Sequence, residues 1–364
     1  MSLSNASQLS HLDFGQNGLT GTVPQNLARL RGLVRLNFYH NRLGNGNDGD
    51  LNFLSFLANC TSLKVLGLGQ NNFGGVLPNS IANLSTQLNI LSMSGNMIHG
   101  SIPVGIGNLV NLYLLGLEAN YLGGPLPDAL GKLQNLEGLY LQVNKFSGPI
   151  PSSLGNLTTL TRLSMSINRF EGVIPPNLGN CQNLLELDLF CNNLTGTIPK
   201  QVIGLSSLSI YLDMSNNFLV GALPFEVGTL KNLAELDLSN NRLSGKILTT
   251  LETCLSLERL YLEGNSFEGE IPQSFETLRS LDEIDLSRNS LYGHILEFLS
   301  KLLLLKLLNL SYNDFEGEVP SEGILQMQAR FQYLEMISYV VVSKNYIYLH
   351  ALGKILIRLG RFLH

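Results

Sequence analysis

Asn135-Leu136-Glu137-Gly138-Leu139-Tyr140-Leu141-Gln142-Val143-Asn144-Lys145-Phe146-Ser147-Gly148-Pro149-Ile150-Pro151 contains one complete structural unit. Leu139 and Leu141 alternate with Gly138, Tyr140 and Gln142, the period of a strand with one buried and one wet side. Asn144 ends the strand where the chain must turn. A buried turn leaves backbone N–H and C=O groups in need of partners, and an amide side chain offers both a donor and an acceptor. Phe146, Ile150, Leu154 and Leu157 are then placed to fill an interior as the chain returns.

The unit recurs thirteen times, with asparagines at Asn17, Asn41, Asn71, Asn96, Asn120, Asn144, Asn168, Asn192, Asn217, Asn241, Asn265, Asn289 and Asn313. Successive intervals are 24, 30, 25, 24, 24, 24, 24, 25, 24, 24, 24 and 24 residues. Such regularity predicts an α/β repeat protein: a leucine-rich-repeat solenoid, a curved right-handed superhelix with a parallel concave β-sheet. Stacked asparagines are expected to form a hydrogen-bonded ladder from one repeat to the next. Residues 1–322 form the expected solenoid and 323–364 a divergent tail that is not a transmembrane helix.

Net charge is −5 over 364 residues, against nucleic acid as the main partner, since phosphate binding needs a basic footprint. No run of 18 apolar residues offers a transmembrane helix, and Met1-Ser2-Leu3-Ser4-Asn5 lacks the pattern of a secretory signal. Cys60, Cys181 and Cys254 replace interior leucines and read as buried thiols. The nearest two lie three repeats, about 14 Å, apart, beyond the ~7 Å reach of a disulfide. Cys191 falls on the open face as a free thiol. No nucleophile, base and orienting group occur together, and the histidines show no metal-ligand spacing, so no enzyme activity, cofactor or metal is expected.

Two segments break the pattern. Gly44-Asn45-Gly46-Asn47-Asp48-Gly49-Asp50 makes its repeat six residues longer than the common unit. Its glycines match a dinucleotide fingerprint outside the strand–turn–helix setting that motif requires, and Asp48 and Asp50 fail calcium-loop spacing; a solvated loop is expected. From Gly323 to His364 the pattern stops. There Arg330, Lys344, Lys354, Arg358 and Arg361 outnumber Glu322 and Glu335. Ile337 to Val342 reads as an aggregation-prone strand, and Ile347 to Phe362 as a basic amphipathic helix.

Gly-x-Ile-Pro after the turn, as in Gly100-Ser101-Ile102-Pro103, Gly148-Pro149-Ile150-Pro151, Gly172-Val173-Ile174-Pro175, Gly196-Thr197-Ile198-Pro199 and Gly269-Glu270-Ile271-Pro272, is the mark of plant extracellular leucine-rich repeats. With Leu43 to Leu51, Ser80-Ile81-Ala82-Asn83-Leu84-Ser85-Thr86 and Phe315-Glu316-Gly317-Glu318-Val319-Pro320, the chain resembles the ectodomain of plant receptor-like serine/threonine kinases. The subgroup resembled includes receptors for bacterial flagellin and elongation-factor peptides. The resemblance implies ligand perception and signalling in innate immunity, on the extracellular side of the plasma membrane, with a peptide or protein ligand and a co-receptor as partners. Signal peptide, cysteine caps, membrane helix and kinase motifs are all missing, so the expectation is a chain truncated at both ends. A soluble inhibitor of cell-wall-degrading enzymes and a non-functional truncated product are the alternatives. The implied N-glycosylation would fall on the sequons at Asn5, Asn59, Asn83, Asn156, Asn193 and Asn309.

With a strand leucine at position n, residues n−1, n+1, n+3 and n+4 face the concave side. Asp213 and Ser215, Asp237 and Ser239, Asp285 and Ser287 repeat a common pattern and are assigned to stacking and solubility. Tyr39, His40, Glu118, Tyr140, Gln142, Arg162, Ile167, Glu186 and Phe190 depart from it and are the expected ligand-binding residues, because aromatics and arginines carry most binding energy at protein interfaces. Tyr140 and Phe190 are the expected outward anchors. Open-face charges are mixed up to the seventh repeat and acidic beyond it, through Glu186, Asp188, Asp213, Glu235, Asp237, Glu263, Glu283, Asp285 and Asp314. That asymmetry predicts a ligand whose basic end lies toward the C-terminal repeats.

Overall fold

The structure, a computed structural model, describes residue 6 and residues 8–318. Thirteen short parallel strands form one sheet in chain order, from His11–Asp13 to Leu307–Asn309. They stack leucine on leucine: Leu115, Leu139, Leu163 and Leu187 are in register and fully buried. Burying each such side chain stabilises the fold by about 1.5–3 kcal/mol, and the sum is local because each repeat touches only its neighbours.

The return path is tighter than an α-helix. Pro103, Pro127 and Pro151 sit in extended conformation and open five-residue 3-10 turns, Val104–Asn108, Asp128–Lys132 and Ser152–Asn156. Proline suits that entry because its fixed φ starts the turn and its missing N–H would have no partner there. Lys200–Ile203, in one of the 25-residue intervals, is a turn of α-helix instead. Between the strands and these turns run lateral strands such as Lys145–Pro149 and Arg169–Val173. Gly148 and Gly172 have φ of +76°, which explains the glycine of the Gly-x-Ile-Pro motif: a Cβ is disfavoured in that region.

The asparagine ladder is present, and its bonding is fuller than expected. Asn168 Nδ2 lies within 3.0–3.1 Å of the carbonyls of Leu141, Met165 and Ser166, while its Oδ1 accepts from Phe146 N at 3.0 Å. One amide thus serves four backbone groups across two repeats. In every repeat the residue just before the asparagine has positive φ, and only Gly95 and Gly264 are glycines there. Val143 and Ile167, with φ of 57° and 53°, are β-branched residues held in the left-handed region, at a cost of about 1–2 kcal/mol each. Val143→Asn should therefore raise the denaturation midpoint, by about 1 kcal/mol in free energy. An unchanged or lower midpoint would show that Val143 is unstrained.

The long insertion is exposed from Asn45 to Gly49, as a solvated loop would be, but it is anchored to the fold at its end. Asp50 is buried, and its Oδ2 accepts from the N–H groups of Asn45, Asn47 and Gly74 at 2.9, 3.1 and 3.0 Å. Gly46 N donates to Asn72 O at 2.9 Å, and a Cβ on Gly75 would lie 2.7 Å from Asp48 O. The loop is docked backbone to backbone on the following repeat, with Asp50 as its staple. The second carboxylate, Asp48, meets His99 Nε2 at 3.1 Å. Both acids face N–H donors where a calcium site would need them converging on a cation.

Cys60, Cys181 and Cys254 are buried free thiols whose Sγ atoms approach the carbonyls of Leu30, Leu154 and Val227. Burial pushes Cys181 and Cys254 up to about 11. Cys191 is free and exposed. At the last described strand Leu308, Leu310 and Phe315 are only partly buried. The strand, helix and basic character expected between 323 and 364 lie outside the described residues. Among those described, no helix is long and apolar enough to cross a membrane.

Candidate functional site

Glu118, Tyr140, Gln142, Arg162 and Glu186 come from four adjacent strands and meet on the concave face. Gly138 pairs across Arg162, and Arg162 across Glu186. A Cβ on Gly138 would come within 2.9 Å of the Tyr140 ring, so the ring lies back over its own strand in space that only a glycine leaves. From there Tyr140 accepts a hydrogen bond from Arg162. Arg162 Nε stands 3.9 Å from Glu186 Oε1, with the arginine side chain 46% exposed and the glutamate 6%. A half-exposed guanidinium is thus oriented by a buried acid and a phenol, and burial raises the Tyr140 hydroxyl against the lowering effect of Arg162.

Glu118 is the second electrostatic feature. Burial, opposed by hydrogen bonds from its own backbone N–H and from Ser94, raises its carboxyl from 4.5 to about 7. Since the folded-state value lies above the unfolded one, the folded chain binds an extra proton between those values, and stability falls as pH rises through about 7.

Several expected site residues are placed differently. Phe190 is only 2% exposed, Gln142 6% and Glu186 4%. Phe190 therefore does not stand out as a surface anchor: strands about 4.8 Å apart close over a ring from both sides, and its N–H is occupied by Asp188 Oδ1 at 3.2 Å. Ile167 is half-buried. Tyr39 and His40, 6.1 Å apart between ring centroids, lie four strands from Tyr140, roughly 19 Å along the sheet, and do not join the cluster. Asp213, Ser215, Asp237 and Ser239 are fully buried. The aspartates accept from the serine N–H two residues on, at 2.8 and 3.1 Å, so they close the end of each strand and contribute no solubility. The acidic field of the later repeats is partly neutralised as well. Arg259 Nε reaches Glu235 Oε2 at 2.9 Å, and Tyr261 donates to Glu283.

An apolar feature has no counterpart among the expected residues. Val65, Ile90 and Leu114 occupy the n−1 position of three adjacent strands, each half-buried, in one row across the concave face. Beside them Gly67, Ser92 and Gly116 occupy n+1. In a leucine-rich chain such aliphatics read as core; counting n−1 as an outward position is the signal that would have found them.

Of the expected glycosylation sites, Asn59, Asn83, Asn156 and Asn193 are exposed and lie on return turns or lateral strands, away from the concave sheet. Asn309 stands on the last concave strand with Nδ2 already donating to Asp285 Oδ2 at 2.9 Å. Asn5 is outside the described residues.

The Leucine Rich Repeat family profile matches residues 62–84, 87–109, 135–157, 159–181, 183–205, 232–254 and 256–278. Receptor kinase-like protein Xa21 of Oryza sativa subsp. japonica is 47% identical over 90 residues, 25% of this chain and 9% of that protein. LRR receptor-like serine/threonine-protein kinase EFR of Arabidopsis thaliana is 50% identical over 84 residues, 23% of this chain and 8% of that protein. These matches span less than a tenth of either relative's length. The Arabidopsis receptor kinase HAESA, solved in complex with the peptide hormone IDA and the co-receptor SERK1, superposes with a TM-score of 0.79 at 31% identity, over 88% of this chain and 56% of that one. In repeat signature and strand stacking the chain is a leucine-rich-repeat solenoid, and in sequence and structure it is similar to the ectodomains of plant receptor-like kinases.

Proposed function

We propose that this chain is a ligand-perceiving module of a receptor-like kinase, binding a peptide or protein along its concave face on the extracellular side of the membrane, in defence signalling. The observation that carries the reading is the Tyr140–Arg162–Glu186 arrangement, a half-exposed guanidinium held ready two strands from the Val65–Ile90–Leu114 row. Pre-orienting such a group removes part of the ordering cost of binding. HAESA binds a peptide hormone together with a co-receptor, and a co-receptor is proposed here on that analogy. Glycans at Asn59, Asn83, Asn156 and Asn193 would leave the concave face open. The solenoid's role is binding, with catalysis assigned to the kinase part of the whole receptor. Residues 1–322 are proposed as the solenoid and 323–364 as a separate tail.

Screening microbial and plant peptides against the glycosylated chain tests this. Tyr140→Ala and Arg162→Ala should each weaken the selected peptide by at least ~2 kcal/mol, about thirtyfold. Lys132→Ala, on an exposed return turn, should leave affinity unchanged. Unaltered binding in both concave variants, or a hydrogen-exchange footprint on the return turns, would overturn the site.

A further inference from the structure

Glu118 and Gln142 occupy the same n+3 position on neighbouring strands. Glu118 Oε2 and Gln142 Oε1 are both buried, and neither has a hydrogen-bond partner. Buried acceptors left unmet are costly. Several carboxylate oxygens of the concave face share this state, Glu186 Oε1 and Glu263 Oε2 among them, but Glu118 and Gln142 place two such acceptors at the same position of neighbouring strands, where no donor comes from the described residues. Among the described residues no basic side chain pairs with Glu118, while Arg162, the cation nearby, is engaged by Tyr140 and Glu186.

The surroundings show the direction from which a donor would arrive. A Cβ on Gly116 would lie 3.1 Å from Glu118 Oε2 and 3.6 Å from Ser92 Oγ, and one on Gly69 would lie 2.6 Å from Ser94 Oγ. The carboxyl is therefore folded over Gly116 toward a floor of Gly67, Gly69, Ser92 and Ser94. Such a floor lets an extended backbone approach closely, and the Val65–Ile90–Leu114 row borders it.

We propose that Glu118 and Gln142 form a specificity pocket for a basic side chain, lysine or arginine, of the bound peptide, whose neighbouring residues run over the glycine–serine floor of the third to fifth repeats. This rests on the concave-face reading above and adds to it a register and a side-chain class. A cation at this point ion-pairs with a carboxylate whose Oε2 has no hydrogen-bond partner, and the amide oxygen of the neighbouring strand can take a second N–H, a pairing to which guanidinium is suited. It also moves the basic contact from the later acidic repeats, where Arg259 and Tyr261 already engage Glu235 and Glu283, to the fifth and sixth.

The test uses the whole chain and a pool of acetylated decapeptides, random except at one central position fixed as arginine, lysine, citrulline or norleucine. The wild type should retain the arginine and lysine pools over the citrulline and norleucine pools by about thirtyfold. Glu118→Gln, isosteric and without the buried charge, should fold normally by circular dichroism and lose that preference. Tyr140→Ala should weaken all pools alike and keep it. Peptide retention with no preference for the cation, or a preference that survives Glu118→Gln, overturns the pocket and leaves the concave-face reading standing. Retention of no peptide by the wild type overturns both.

Discussion

Asn217→Ala is expected to lower the unfolding free energy by about 3 kcal/mol, among the largest effects of any polar substitution in the chain. Asn217 is 5% exposed. Its Oδ1 accepts from Leu194 N at 3.0 Å, and its Nδ2 reaches the carbonyls of Leu189, Met214 and Ser215 at 3.0–3.1 Å. Alanine leaves all four groups without that partner in a turn that water does not reach. Asn217→Asp should be no better, because it keeps the acceptor, loses both donors and adds a charge. Equilibrium denaturation by circular dichroism measures this, with Lys132→Ala as the exposed control. Ser166 is unsuitable as a control because it is buried and donates to Asp188 Oδ2 at 2.7 Å. Equal midpoints for Asn217→Ala and Lys132→Ala would refute the energetic role of the ladder.

The second large effect is expected at Asp50. Replacing it by alanine strips one acceptor from three N–H groups, at about 1–3 kcal/mol for each that stays buried. Opening the loop limits the loss by letting water reach those groups. The expected outcome is thus local: fast amide exchange at Asn45, Asn47 and Gly74, and new protease cleavage between Gly44 and Asp50, while the repeats from Asn96 onward keep their protection. Asp50→Asn retains an acceptor oxygen and should fall between. Exchange at Gly74 as slow as in the wild type would show that packing alone holds the loop.

Repeat number, strand positions, buried cysteines and the ladder asparagines are all legible in the sequence, because each depends on a short fixed spacing that stacking repeats many times over. Other features depend on contacts between repeats that no single unit reveals. Phe190 and Gln142 stand at outward positions of their strands, yet neighbouring side chains bury them. Asp50 and Gly74 are far apart in the sequence pattern and meet only when the long insertion folds onto the next repeat. Within the site, Tyr140 and Arg162 were recognisable by residue type, but the glycine at 138 that gives the ring its place was not. The left-handed turn residues were hidden for another reason: Gln16, His40, Val143, Ile167 and Cys191 have no chemistry in common, and only the backbone makes them equivalent.

Ladder bonds have a direction. Asn41 reaches back to Phe14 O and accepts from Leu19 N, whereas among the described residues Asn17 meets the carbonyls of Phe14 and Gly15 in its own turn. Every later asparagine bonds to its own repeat and the one before it. At the level of the gene, this makes the 24-residue unit a copyable cassette: tandem duplication or loss of one unit between Asn96 and Asn192 recreates each bond with the same offsets and demands no compensating change. The 30-residue unit is different, because Asp50 needs Gly74 of the following repeat. Unequal crossing-over can therefore lengthen or shorten the middle of the array, and with it the binding groove, while the Asp50 repeat is inherited together with its successor.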